Sequence, residues 1–559
     1  MHAGGPTGAV VAVCLAWLAC INGGAALAAK PEPPASYHVP APRSPSRSTG
    51  TTGATGPAPL AFRIYARTAT RIDSLFPVAP IPAGFVGTSM DYCAITAYSD
   101  GGANTVLANL LSALSPQPVI RIGGNGPDDG CPGIGPRPVS VAADAIAALA
   151  GRTGARLVLG INLLAHNLAR VVSEVRGLVA AIDPQRPFRY IEAFEIGNEP
   201  DRYPQYGPSA PRDKVKPYFE RYLRDFADWA VAIRIAADNP DVGIAGPSLG
   251  RIGLPWITGT DAGDFGAFLR TPSHPSLITF HSYPLHGSSS CPARDCPSIP
   301  NLLANHSSVG LANQVAPFVG LLPHGRVLRI DEINSVTGGG AKGISNTFAS
   351  ALWALDTLFE FAKAGVSGVN VHTFPGARYA LYKGPRGGWR VFPEYYGLLA
   401  FARAAPAGAR LLAVGGGLAN RAVKVWATRS ATGRLTDVVI NKSVRPVEVQ
   451  LSGAGVPSRG SAMLSWLTAP AIGERWRCPR GYASTGLCAI DGIRLGGASF
   501  GPEAYLGGDR TTTGVLGKPA RGTCTRLLEC VRQPPGSAIT LTMPPGTAVL
   551  VSGSAQHDA

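Results

Sequence analysis

The sequence predicts an α/β chain folded as a (β/α)₈ TIM barrel with an antiparallel β-sandwich at its C-terminal end. Three observations carry this. Eight short apolar runs alternate with longer stretches of helical period, the texture turns to short β-rich runs near residue 410, and a glutamate closes two of the barrel runs. The barrel runs are 84–90, 118–122, 156–161, 191–196, 242–245, 277–283, 327–330 and 366–372. Their length and near-continuous apolar character suit strands buried on both faces. Helical period fills 141–151, 168–182, 214–237, 302–315 and 344–363, and in the third of these Phe219, Tyr222, Leu223, Phe226 and Trp229 share one stripe. Eight strand–helix units over roughly three hundred residues match the usual barrel size. An open doubly wound sheet is the alternative, but no Gly-x-Gly-x-x-Gly turn follows the first strand.

Runs at 422–428, 436–440, 447–451, 462–467 and 538–541, separated by Gly, Pro and Asn, read as the sandwich. A strand-like run at 61–66 precedes the barrel, so the sandwich is expected to be discontinuous in sequence. The expected segments are a leader (1–29), a Pro/Ser/Thr-rich tether (30–59), a strand region joining the sandwich (60–80), the barrel (81–405) and the sandwich (406–559).

Residues 1–29 carry no Asp, Glu, Lys or Arg and end in Ala26-Leu27-Ala28-Ala29, which reads as a signal peptide; a retained anchor is the alternative, since the basic flank is missing. The tether lacks the apolar residues needed for a core. Without Cys14 and Cys20, eight of the ten cysteines remain, an even number suited to an oxidising compartment. Cys291 and Cys296, Cys478 and Cys488, and Cys524 and Cys530 are local pairs. Cys93 and Cys131 remain, on loops at the same end of neighbouring strands; free buried thiols are the alternative. A secreted or periplasmic monomer is expected. No cysteine or histidine spacing makes a zinc site, and no cofactor or metal is implied. The formal net charge is +15, of which the tether supplies only +2, from Lys30, Arg43 and Arg47 against Glu32. An anionic polysaccharide fits that charge, as does a merely soluble basic surface. No basic stripe is interleaved with aromatics, so nucleic acid is not expected.

The chemistry gathers on Glu199, in Asn198-Glu199-Pro200 after the fourth strand, and on Glu332, after the seventh. Barrel chemistry collects at the carboxyl ends of strands. Two carboxylates there are what glycosidic-bond cleavage needs, one as proton donor and one as nucleophile. Asn198 is placed to bond a sugar hydroxyl beside the reacting carbon, and Pro200 to stop the strand. In the sixth strand His281 and Tyr283 share a face, from which the Tyr283 hydroxyl can orient a carboxylate and keep it ionised. Alone, Glu199 reads equally as a helix cap, and His281 and Tyr283 as core residues.

On these residues, with Asp331-Glu332 followed by Gly338-Gly339-Gly340, and Pro375-Gly376-Ala377-Arg378-Tyr379, the chain resembles glycoside hydrolase family 79, the heparanase and β-glucuronidase group. The resemblance runs from about residue 61 to the C-terminus. It implies a retaining mechanism with Glu199 as acid/base and Glu332 as nucleophile. It also implies that the amides of Gly338 and Gly339, with the Tyr379 hydroxyl, receive a uronate carboxylate. A glycine turn that offers successive N–H groups suits an anion. Asp91 and Asn125 look like the family's sugar-binding polar residues, with Asp128 and Asp129 as competitors. Thr337 departs from the aromatic that relatives often carry before the glycine turn. The expected activity is therefore a retaining β-glycosidase acting on β-linked glucuronic acid in glycosides or glycosaminoglycan-like polysaccharides. The alternatives are a β-xylosidase or β-glucosidase of the same barrel type, and a non-catalytic carbohydrate-binding surface protein.

Overall fold

The computed structural model describes residues 59–71, 77–99, 105–131, 138–207, 216–250, 256, 263–288, 290–384, 388–416, 422–453, 461–472, 478–479, 481–500, 529–532 and 538–553. The leader, the tether up to residue 58 and Cys524 lie outside the described residues.

Strand β1 (Leu60–Thr68) precedes the eight parallel strands of a closed barrel. These are β2 (Val86–Asp91), β3 (Val119–Gly123), β4 (Arg156–Ile161), β5 (Ile191–Ile196), β6 (Gly243–Leu249), β7 (Leu277–Ser282), β8 (Val327–Ile333) and β9 (Gly368–His372). β9 pairs with β2 and closes the ring. All eight expected strands are present. The expected single helix at 302–315 is instead three pieces, Ile299–Leu303, the turn Asn305–Ser307 and Val309–Gly320. The break falls at Ala304, where the turn Asn305–Ser307 separates the two helices and Ser308 stands at the N-cap position of the second.

Alternation along each strand sorts the barrel interior into layers. Val119, Val158, Ala193, Ala245 and Leu277 form a small apolar cluster of their own, whereas Ile120, Ile122, Leu157, Leu159, Phe194, Ile196 and Ile244 belong to the large core with the surrounding helices. Two residues further along the strands than that small cluster, the inward positions become polar: Arg121, Glu195, Thr279 and, on β8, Asp331 are all fully buried. A charged layer inside the barrel is costly unless every member is paired. It lies directly beneath the carboxyl ends of the strands.

A two-stranded ribbon, β10 (Tyr382–Lys383) with β11 (Arg390–Val391), follows the barrel. The sandwich comprises β1, β12 (Arg410–Gly416), β13 (Val423–Arg429), β14 (Leu435–Asn441), β15 (Val447–Gly453), β16 (Ser461–Thr468), β17 (Arg494–Leu495), β18 (Glu529–Arg532), β19 (Ile539–Met543) and β20 (Thr547–Gly553). β1 pairs antiparallel with β12 and parallel with β15, so a strand that precedes the barrel in sequence joins the sandwich. Phe62, Leu451 and Leu541 from one layer meet Val439, Leu464 and Val549 from the other in a common cluster. Helix Phe348–Ala364 locks the sandwich to the barrel: Lys442 Nζ lies 2.7 Å from Asp356 Oδ2, Lys424 Nζ 3.1 Å from Glu360 Oε1, and Trp426 stacks on Phe359 at 5.2 Å.

Candidate active site

β5 ends at Ile196, three residues before Glu199, and the strand is not stopped by Pro200 as the sequence suggested. Gly197 (φ 78°) turns the chain first, and Glu199 itself adopts a left-handed conformation (φ 53°, ψ 52°). That backbone costs a non-glycine residue on the order of 1 kcal/mol or more and is retained where the surroundings over-determine it. Here the Glu199 N–H donates to the Ser248 carbonyl at 2.9 Å, and the Glu199 carbonyl accepts from Arg202 N–H at 2.9 Å. Pro200 opens the short turn Pro200–Arg202 that completes this hold.

An oxygen of Glu199, a ring nitrogen of His281 and an oxygen of Glu332 lie within 4.8 Å of one another. His281 Nδ1 is 3.1 Å from Glu199 Oε1, and Arg202 Nη1 is 2.8 Å from Glu199 Oε2. Glu332 accepts from the Tyr283 hydroxyl at 2.8 Å and from Arg121 Nη1 at 2.5 Å, while His372 Nδ1 stands 3.9 Å away. Burial alone would raise the Glu332 carboxyl. The charges of His372, His281 and Arg121, with the Tyr283 hydrogen bond, outweigh it and hold Glu332 below the usual carboxylate range. Burial followed by the charge of Glu332 pushes the Tyr283 hydroxyl well up, so it remains a donor. Burial also lowers His372, against the raising effect of the Glu332 charge.

Arg121 ties these groups together. Its Nε and Nη2 lie 2.8 and 2.7 Å from Glu195 Oε2, and its Nη2 donates to Asn198 Oδ1 at 2.8 Å. Burial works against the ionised form of Glu195, but the Arg121 charge wins and holds it low; burial and the neighbouring Glu195 push Asp331 well up, so Asp331 is the protonated member of that pair. Asn198 Nδ2 donates to Asn125 Oδ1 at 2.8 Å, and the Asn198 N–H donates to the Tyr203 hydroxyl at 2.9 Å. Asp91 accepts from the N–H groups of Cys93 and Gly126, each at 2.9 Å, which anchors the turn carrying Asn125. Burial raises the Asp91 carboxyl. Cys93 lies in the helix Tyr92–Ser99 that follows β2, not on a loop as expected, and its disulfide to Cys131 joins that helix to the segment after Asn125.

The structure brings Asp91, Asn125, Asn198, Glu199, Tyr283, Glu332, Gly338, Gly339 and Tyr379 to the wall of a common cavity of about 680 Å³. His281 lies behind Glu199 and is fully buried. Asp128 and Asp129 do not line that cavity: Asp128 instead accepts from the Tyr203 hydroxyl and from Leu163 N–H at 3.1 Å, supporting the loops beneath. Gly338, Gly339 and Gly340 all have positive φ (71°, 87° and 87°). A Cβ at Gly338 would meet nothing within 4 Å, so that position is open toward the cavity, whereas one at Gly340 would crowd Tyr379 at 3.0 Å. The Tyr379 hydroxyl lies beside the Gly339 N–H and the Tyr283 hydroxyl; burial and the Glu332 charge raise it, so it stays protonated.

Sequence reasoning missed Arg121, Glu195, Arg202, Tyr203 and His372. A charge in the middle of Val119-Ile120-Arg121-Ile122 was the available signal, since a strand buried on both faces carries an arginine only opposite carboxylates. Glu199, His281 and Glu332 are near enough to share a cation, but Arg121 already supplies positive charge at Glu332, and a metal ion beside it would be repelled.

The fold is similar to that of a 4-O-α-L-rhamnosyl-β-D-glucuronidase from Fusarium oxysporum solved with Rha-GlcA (TM-score 0.63, 19% identity, covering 88% of this chain and 100% of that one). It is also similar to a GH51 arabinofuranosidase from Xanthomonas axonopodis pv. citri (0.57, 12%, 88% and 99%) and to an α-L-arabinofuranosidase from Thermotoga maritima (0.56, 12%, 88% and 99%). At these identities the similarity establishes the fold. No protein-family model matches the sequence, and comparison with curated proteins finds no match.

Proposed function

We propose that the chain is a retaining β-glycosidase that hydrolyses β-linked glucuronic acid. The observation that carries the reading is the approach of Glu199 and Glu332 to within 4.8 Å, in a cavity that also holds a glycine turn and Tyr379. Retaining enzymes keep their carboxyl groups about 5–5.5 Å apart, and inverting ones about 6.5–9.5 Å. Glu332, held ionised, attacks the anomeric carbon while Glu199 gives its proton to the departing oxygen. Water then attacks the glycosyl ester, Glu199 takes back a proton, and the sugar leaves with its configuration retained. Tyr283 and Arg121 stabilise the Glu332 carboxylate before attack and after release. Asn198 presents an amide next to the reacting carbon, and Asp91 and Asn125 offer acceptors to sugar hydroxyls. The Gly338-Gly339 turn and Tyr379 receive the uronate carboxylate, which distinguishes this reading from a neutral xylosidase or glucosidase. The disulfides Cys93–Cys131, Cys291–Cys296 and Cys478–Cys488 support secretion to an oxidising compartment. Among the described residues no helix is long and apolar enough to cross a membrane.

The test is a panel of p-nitrophenyl β-glycosides with NMR of the first-formed sugar. Faster turnover of glucuronide than of glucoside and xyloside, with β-glucuronate appearing first, is the expected result. Preference for a neutral sugar overturns the uronate part, and an α-configured first product overturns retention.

A further inference from the structure

Both oxygens of Glu199 have protein partners: Oε1 lies 3.1 Å from His281 Nδ1, and Oε2 accepts from Arg202. His281 cannot yield, because its side chain is fully buried and its Nε2 sits 3.4 Å from Arg121 and 3.8 Å from Asp331. Arg202 can, since its side chain is 57% exposed. A guanidinium only donates, so an oxygen it occupies is not presenting a proton to a leaving group.

Arg202, Tyr283 and Thr337 form the boundary between the catalytic cavity and an adjoining one of about 260 Å³. The adjoining cavity is lined further by His286, Arg294 and His306; the one carboxylate among its described lining residues, Asp295, is 3.4 Å from Arg294. His306 Nε2 is buried there without a partner among the described residues. This second cavity meets the catalytic one at Arg202, the ion-pair partner of Glu199, which in the proposed mechanism gives its proton to the leaving group.

We propose that Arg202 is a specificity-determining residue that takes an anionic group, a carboxylate or sulfate, carried by the leaving-group side of the substrate; this rests on the glycosidase reading above. Binding that anion draws Arg202 off Glu199 Oε2 and frees the oxygen to serve the glycosidic bond. A neutral leaving group leaves the resting ion pair in place.

The experiment compares wild type, Arg202→Ala and Arg202→Lys on p-nitrophenyl β-D-glucuronide and on an analogue with a carboxylate on the nitrophenyl ring. The same two aglycones on β-D-glucose form a second pair. Arg202→Ala should lower kcat/KM on the carboxylated aglycone about tenfold more than on the plain one, and Arg202→Lys should recover part of the difference. Equal losses on both aglycones in both sugar series would overturn the proposal and reduce Arg202 to a support of Glu199. Faster turnover of glucosides, with the aglycone difference intact, would contradict only the uronate reading.

Discussion

Replacing Tyr379 with Phe tests the proposed recognition of a uronate. Tyr379 is 3% exposed, and its ring packs against Phe374 at 5.7 Å, His372 at 5.9 Å and Tyr283 at 6.4 Å. Phe retains those contacts, so the change removes only a hydroxyl that lies beside the Gly339 N–H. A hydrogen bond to a charged group contributes about 1.5–3 kcal/mol net, which corresponds to roughly one to two orders of magnitude in kcat/KM. The hydroxyl also neighbours Tyr283, which orients Glu332, so part of any loss will be common to every substrate. Dividing the loss on p-nitrophenyl β-glucuronide by the loss on the glucoside cancels that part. A quotient of about tenfold or more is expected. A quotient near one would refute the reasoning, because Tyr379 would then support the site without reading the carboxylate.

Three further outcomes follow from the buried charges and the disulfide. Arg121→Met strands the Glu195 and Glu332 carboxylates in the barrel and should cost about 3–5 kcal/mol in urea unfolding; an unchanged midpoint contradicts the network. Asp437, buried in β14 without a partner among the described residues, is pushed up to about 8 from 3.8 by burial, so the folded chain holds a proton there that the unfolded chain releases. Its contribution is intact below about pH 4 and is lost as pH rises through 8, so Asp437→Asn should raise Tm at pH 8 more than at pH 5; equal shifts contradict it. Joint replacement of Cys93 and Cys131 by Ser should lower stability by about 2–4 kcal/mol and reduce turnover, because the bridge clamps the segments bearing Asp91 and Asn125; full activity and an unchanged Tm contradict it.

The strands were legible because parallel barrel strands are buried on both faces and read as apolar runs; 156–161 and 191–196 match β4 and β5 residue for residue. Glu199, Glu332, His281 and Tyr283 were legible because strand ends and period-2 alternation fix where side chains point. What pairing alone decides was not legible. Arg121 reads as a lone charge until three strands bring Glu195, Asn198 and Glu332 around it. The left-handed turn at Glu199 depends on the Ser248 carbonyl of a neighbouring strand, which a reading of Asn198-Glu199-Pro200 does not contain. β12 and β20 were missed as strands; Gly415-Gly416 end the first, and Pro544-Pro545-Gly546 stand directly before the second. Asp128 was a competitor by proximity in sequence, but its partners are Tyr203, after β5, and the loop after β4.

Covalent trapping tests the central claim most directly. The protein is incubated with 2-deoxy-2-fluoro-β-D-glucuronyl fluoride, digested, and its peptides are sequenced by mass spectrometry. The mechanism predicts a single fluoroglucuronyl ester on Glu332, formed in Glu199→Ala as well, since the fluoride leaving group needs no protonation. An adduct on Glu199 or on any other residue, or release of α-configured sugar without an adduct, would contradict it.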